Sequence, residues 1–170
     1  MHGCALSGVL DAPRTGAVVV FYNPDAACID RANRLAATMH CVVVDNTPSL
    51  RTAWELGLSA EIEHIPNGEN VGIATAINQG VEALIRAGFD TAILFDQDSE
   101  PPESLLTELP AVIGAARASG DQVALVGPAY DDERLGGVAP FVRFRRWRLQ
   151  RVRPEGALPI DVDFLITSGS

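Results

Sequence analysis

Two carboxylates one residue apart, Asp96 and Asp98, follow the apolar run Thr91-Ala92-Ile93-Leu94-Phe95. Side chains at i and i+2 of an extended chain point the same way, so the pair can face one spot while Gln97 faces the other. Carboxylates that close repel each other when ionised unless something cationic sits beside them. The chemistry is that of a hard divalent cation, Mg²⁺ or Mn²⁺, which keeps waters and takes further oxygens from substrate phosphates. A bare D-x-D is common, and turn-forming acids on a solvated loop are the plain alternative. Its place directly after a buried strand favours the metal.

A second constellation is Asn70-Val71-Gly72-Ile73-Ala74-Thr75-Ala76-Ile77-Asn78. Gly72, Ala74 and Ala76 leave little bulk at a helix start, so a ligand or another backbone can approach closely. Amides there suit a phosphate or sugar oxygen. The same small residues would serve equally for tight packing on a sheet. Asp45-Asn46 can hydrogen-bond a nucleobase or ribose, or close a strand as an Asx turn. His64 is a single histidine beside a strand and reads as structural. G-x-G-x-x-G and G-x-x-x-x-G-K-[ST] are both absent, which argues against dinucleotide dehydrogenases and P-loop NTPases. Neither G-x-S-x-G nor a paired metal-binding histidine motif occurs, so hydrolase readings are weak.

The elements that must position these residues alternate. Ala17-Val18-Val19-Val20-Phe21-Tyr22 has the β-branched, aromatic pattern of a strand buried on both faces, and Asn23-Pro24 ends it as a helix cap and first helical residue. Apolar residues from Ile29 to Met39 recur at helical spacing over 25–39. Further strands are expected at 41–44, 61–65, 91–95, 122–126 and 162–166. Helices are expected at 52–56, 72–87 (with Gly88 to end it) and 102–118, the last kinked or split by Pro110. This order implies an α/β fold, a mostly parallel sheet sandwiched by helices, of nucleotide-binding type. In such sheets the ligand crevice lies beyond the carboxyl ends of the strands, where Asn23, Asp45, the Asn70 segment and Asp96 all fall.

At 170 residues, with 47% hydrophobic and 21% charged residues, the chain has the size and composition of one globular domain. No apolar run approaches the roughly 18–20 residues of a bilayer span. The N-terminus lacks the basic start and apolar segment of a secretion signal, so a cytoplasmic location is expected. Cys4, Cys28 and Cys41 are an odd set without CxxC spacing and read as incidental or buried thiols. All thirteen basic residues are arginine. Up to Val142 there are 19 acids and 7 Arg, net −12; from Arg143 onward there are 6 Arg and 3 acids, net +3. The acidic body is a poor partner for nucleic acid, whose binding needs positive surface. An anionic ligand would need a divalent cation with it.

Taken together, Val18 to Pro24, Val43-Val44-Asp45-Asn46, the run from Asn70 to Gly80 and Phe95-Asp96-Gln97-Asp98 resemble the N-terminal half of family 2 glycosyltransferases. Within that family the chain is most similar to the bacterial rhamnosyltransferases, with Asp163-Phe164-Leu165-Ile166-Thr167-Ser168-Gly169-Ser170 adding to the likeness. The resemblance implies a nucleotide-diphospho-sugar transferase (GT-A, Rossmann-like) fold, a nucleotide-diphosphate sugar donor such as dTDP-L-rhamnose, and inverting, metal-dependent transfer to a polysaccharide or lipid-linked acceptor. On it, Asn23 and Asp45 line the nucleoside site, and Asn70, Gly72 and Ala74 lie against the donor. Asp96 reaches ribose or metal, and Asp98 the metal on the diphosphate. It further implies one glycosyltransferase domain over 1–170, truncated to its donor-binding part, with the acceptor part and the catalytic-base segment beyond Ser170. None of Asp131, Asp132, Asp161 and Asp163 matches the base motif, so the general base is unassigned.

Arg143 to Arg153 interleaves arginine with Phe144 and Trp147. It suits an anionic acceptor or peripheral contact with the inner face of a membrane, against the alternative of a solvated edge strand or loop. The rival functions are a non-catalytic nucleotide-sugar-binding module and a sugar nucleotidyltransferase; the latter lacks a glycine-rich, basic phosphate loop near the first strand.

Overall fold

The computed structural model describes residues 13–129, 131–132, 137–154, 156 and 159–165. Its centre is a four-stranded, wholly parallel sheet in the order β3-β2-β1-β4, formed by β1 (Thr15–Phe21), β2 (Cys41–Asp45), β3 (Glu63–Pro66) and β4 (Thr91–Asp96). Continuous valine runs in β1 and β2 leave no polar side for water. Both faces are accordingly covered, as parallel strands joined by helices require.

Alternation along the strands divides the core in two. Ala17, Val19, Phe21, Cys41 and Val43 point to one face, where Cys28 and Ala32 of α1 (Ala26–Ala36) and Leu56 of α2 (Ala53–Leu56) cover them. Val18, Val42 and Val44 point to the other, under Ala76, Ala83 and Leu84 of α3 (Ile73–Arg86). Gly80 belongs to this second contact: a Cβ there would lie 2.4 Å from Val18 Cγ1. α4 (Leu105–Ala118) follows β4 and half-buries Leu105, Leu106, Leu109, Val112 and Ile113. Cys28 and Cys41 are free and buried; burial pushes the Cys41 thiol up to about 12, which leaves it inert at neutral pH. Cys4 lies outside the described residues.

Several expectations are corrected. α1 is capped by Asp25, whose carboxylate accepts the Cys28 N–H at 2.9 Å, and not by Asn23; Pro24 therefore precedes the cap. α4 runs through Pro110 without splitting. No strand forms at 122–126 or 162–165, and Ile166 lies outside the described residues. Apolar β-propensity needs a pairing partner to become a strand, and Leu125, 70% exposed, has not found one. The later chain instead makes two small antiparallel pairs, β5 (Asp131–Asp132) with β6 (Gly137–Val138) and β7 (Phe141–Arg145) with β8 (Arg148–Val152). Among the described residues no helix is long and apolar enough to cross a membrane.

The Gly80 contact has a measurable consequence. Gly80→Ala drives a methyl into the stiff, buried Val18 side chain and is expected to lower unfolding free energy by about 1–3 kcal/mol. Ala74→Ser, on the exposed side of the same helix, should stay within about 0.5 kcal/mol of the parent in the same denaturant titration.

Candidate functional site

Parallel pairing brings the carboxyl ends of all four strands to one edge. Phe21 pairs with Asp45, Val20 with Asp96, and Asp45 with Pro66. Asp45 and Asp96 thus stand two strand spacings apart, about 10 Å. Side-chain hydrogen bonds join the loops that leave this edge.

Asp45 is 1% exposed and its carboxylate is fully occupied: Oδ1 accepts the Thr47 N–H at 2.9 Å and Oδ2 accepts Arg51 Nη2 at 3.2 Å. A buried carboxylate requires such partners, and Arg51 supplies the compensating charge. Arg51 also donates to Thr47 Oγ1 at 3.0 Å, and that hydroxyl accepts the Asn23 N–H at 2.8 Å. Asn23 sits at φ 48, a left-handed conformation that asparagine tolerates better than most residues. Its exposed side chain stands at the end of β1.

A second network is built from amides. Asn46 donates to the Gly72 carbonyl at 3.3 Å, and its Oδ1 accepts Asn67 Nδ2 at 2.8 Å. Asn67 and Gln79 exchange a reciprocal pair at 2.9 and 3.0 Å. Asn70 Oδ1 accepts the Gly72 N–H at 3.0 Å. Gly72 is at φ 84, caps α3 without a side-chain bond, and would meet nothing within 4 Å of an added Cβ. Ala74 is exposed, whereas Ala76 is fully buried. The small residues therefore serve two ends: Ala76 and Gly80 pack on the sheet, while Gly72 and Ala74 leave open space before free helix-start amides.

Asp96 is the last residue of β4, and a turn follows it in which the Ser99 N–H bonds to the Asp96 carbonyl at 3.1 Å. Asp98 is placed by this turn and not by strand alternation, because the extended backbone ends at Asp96. Gln97 Oε1 accepts the Tyr22 N–H at 2.8 Å and ties the turn to the end of β1. Partial burial, with the Asp98 charge second, raises the Asp96 carboxyl above its usual range. No cation lies within ion-pair distance of Asp96 or Asp98 among the described residues. Nor do those residues contain a cluster of three or more metal-ligating side chains. Asp96 and Asp98 are the side-chain oxygens here that could join the shell of a hard divalent ion, whose other ligands would have to come from water or a bound phosphate. Asp96 also lines a narrow recess with Val19, Arg31, Leu35, Phe95 and Gln97, and Arg31 is held there by a 2.8 Å ion pair to Glu100.

The sequence-predicted residues thus share one edge, which also holds residues that sequence reasoning passed over: Thr47, Arg51, Asn67, Gln79 and Gln97. A lone arginine six positions after a strand-end aspartate was a usable signal for Arg51. The amide pairs had none, since their partners are 12 and 21 residues apart. His64, in β3, is half-buried with its pKa lowered by burial, and its Nε2 is unpartnered. It has no place in the open part of the site.

A parallel sheet flanked by helices, with polar loops at its carboxyl edge, fits the α/β Rossmann-like class of architecture. Over 158 residues the chain is 26% identical to the dTDP-rhamnosyl transferase RfbF of Shigella flexneri, a match covering 91% of this chain and 52% of the relative. The chain spans about half the length of the curated relative it matches, and the match supports a glycosyltransferase relationship. No family model and no solved structure matches.

The raised Asp96 carboxyl makes a signed prediction. A folded-state pKa above the ordinary 3.8 means that the folded chain holds the proton to higher pH than the unfolded one. Ionised Asp96 therefore costs stability, a cost absent below the ordinary value and fully developed once pH exceeds the folded one. Metal-free Asp96→Asn should unfold at higher denaturant than the parent at pH 7, and the difference should vanish near pH 3.5 or below. Arg51→Ala, which leaves the buried Asp45 carboxylate short of a partner, should cost about 2 kcal/mol at pH 7, less than a fully buried pair because Arg51 is partly solvated.

Proposed function

We propose that this chain is the donor-binding part of a glycosyltransferase that uses a nucleotide-diphosphate sugar, dTDP-L-rhamnose, with Mg²⁺ or Mn²⁺, and transfers the sugar with inversion to a saccharide or lipid-linked acceptor. The observation that carries this reading is that the Asp96/Asp98 carboxylates, which meet no cation among the described residues, and the open Gly72–Ala74 helix start follow strands at the same carboxyl edge of the sheet. The Shigella relative, a dTDP-rhamnosyl transferase, supports the choice of donor.

On this reading the nucleoside lies over the ends of β1 and β2. Asn23 offers its exposed amide there, and Asp45 acts with Arg51 and Thr47 to hold the loop that forms the floor. The uncapped first turn of α3 presents backbone N–H donors to donor oxygens, and Gly72 and Ala74 keep the approach clear. Asp96 and Asp98 would hold the divalent ion. When bound, that ion offsets the charge that builds on the departing nucleotide diphosphate. Its charge also answers the chain's net −9, which would otherwise repel the donor. The acceptor hydroxyl needs a base, and no residue of this chain is assigned that role.

Calorimetric titration of dTDP and dTDP-rhamnose, with Mn²⁺ and with chelator, tests the proposal. Parent protein should bind both ligands at least ten-fold more tightly with Mn²⁺, and Asp98→Ala should lose that metal-dependent gain while melting like the parent. Equal affinity of parent and Asp98→Ala, in metal or in chelator, overturns the site assignment. Ala74→Gln should weaken donor binding without moving the melting midpoint, since Ala74 packs against nothing that the larger side chain would displace.

A further inference from the structure

The β7–β8 hairpin lies apart from the sheet edge just described and carries a different chemistry. Its strands pair Phe144 with Leu149 and Arg145 with Arg148, and the chain reverses through Arg146-Trp147. Paired residues share a face. One face therefore shows Phe144 and Leu149, 51% and 58% exposed, and the other shows Arg145 and Arg148. Phe164, 56% exposed, meets Phe144 edge to face with ring centres 5.5 Å apart and extends the apolar side.

Three features run against what a free-standing hairpin would choose. Arg146 and Trp147 hold φ of 42° and 74°, where two-residue hairpin turns ordinarily use Asn-Gly, and a bulky aromatic there is strained. Trp147 is wholly exposed at the tip. Arg145 and Arg148 stand directly opposite each other, a like-charge pairing that destabilises a sheet, and neither is in an ion pair among the described residues. Strain, exposed aromatic surface and unrelieved charge at one tip are costs that a bound partner would offset.

We propose that this hairpin docks on an anionic lipid surface. Trp147, with the Phe144–Leu149 side, enters the headgroup region, while Arg145, Arg146 and Arg148 hold the anionic headgroups. A wholly exposed tip aromatic, flanked by cations and continuous with an apolar side, is the pattern that a membrane interface rewards. Charge fixes the orientation as well. Residues 141–153 contain six arginines and no acid, whereas the chain up to Val142 carries net −12 and is repelled by the same surface. The docking does not depend on the donor reading above.

The test is cosedimentation of the full chain with vesicles of pure phosphatidylcholine or of phosphatidylcholine with phosphatidylglycerol, at low and at high salt. A Trp54→Phe background leaves Trp147 as the sole tryptophan emitter. The protein should pellet with anionic vesicles at low salt and be released by high salt, and Trp147 emission should shift to the blue on binding. Arg145→Ser with Arg148→Ser should weaken partitioning roughly ten-fold or more, since each arginine near such a surface contributes about five-fold. Both side chains are exposed, and an unchanged far-UV spectrum and melting midpoint would exclude unfolding. Equal binding to neutral vesicles, no binding, full binding by the arginine variant, or unshifted Trp147 emission overturns the proposal. Retention on dextran sulfate without vesicle binding also overturns it and assigns the hairpin to a polyanionic saccharide.

Discussion

Parallel pairing of β1 with both β2 and β4 is the constraint on which the rest depends. It places Phe21 beside Asp45 and Val20 beside Asp96, so that loops separated by up to about 75 residues of chain leave from one edge. Antiparallel pairing would have put consecutive strand ends on opposite edges. The parallel arrangement demands crossover helices and two apolar faces, and the continuous valine runs meet that demand. In β1, β2 and β4 the polar residues are consequently displaced to the strand ends, where the backbone turns away and side-chain oxygens can be used.

Along that edge the charges are treated in two ways. Asp45 is buried and answered by Arg51 and the Thr47 N–H, which makes it part of the framework that holds the 45–51 loop. Asp96 and Asp98 meet no cation among the described residues, and partial burial, with the Asp98 charge second, raises the Asp96 carboxyl. Between them and α3, neutral amides from Asn46, Asn67 and Gln79 fix the Gly72 loop without adding charge. Rigid uncharged support beside unrelieved carboxylates leaves the electrostatics of the site to whatever binds there.

Legibility from the sequence followed the range of the interactions involved. β1, β2, β4, α1 and α3 were readable within a residue or a few because burial on one or both faces writes a local pattern of period 2 or 3.6. The position of Asp96 at the end of β4 was readable, but the alternation expected to align Asp98 with it does not apply, because a turn closed at the Asp96 carbonyl sets Asp98. The strands expected at 122–126 and 162–166 failed because apolar runs specify a preference for extension and not a neighbour to pair with. The cap of α1 moved by two residues: Asn23 takes a left-handed turn whose N–H bonds to Thr47, 24 positions away, and the extended Asp25 accepts the Cys28 N–H instead.

By itself, then, the amino-acid order determined the succession of strands and helices, the apolar faces, and which polar residues fall at strand ends, because these follow from interactions among neighbours in the chain. Tertiary structure decided that Asp45 is buried while Asp96 and Asp98 meet no cation among the described residues, and that Gly80 packs while Gly72 stays open. Each of those outcomes depends on which distant segment arrives alongside, and the free energy of burying or leaving a charge is set by that neighbour and not by the residue's own position in the sequence.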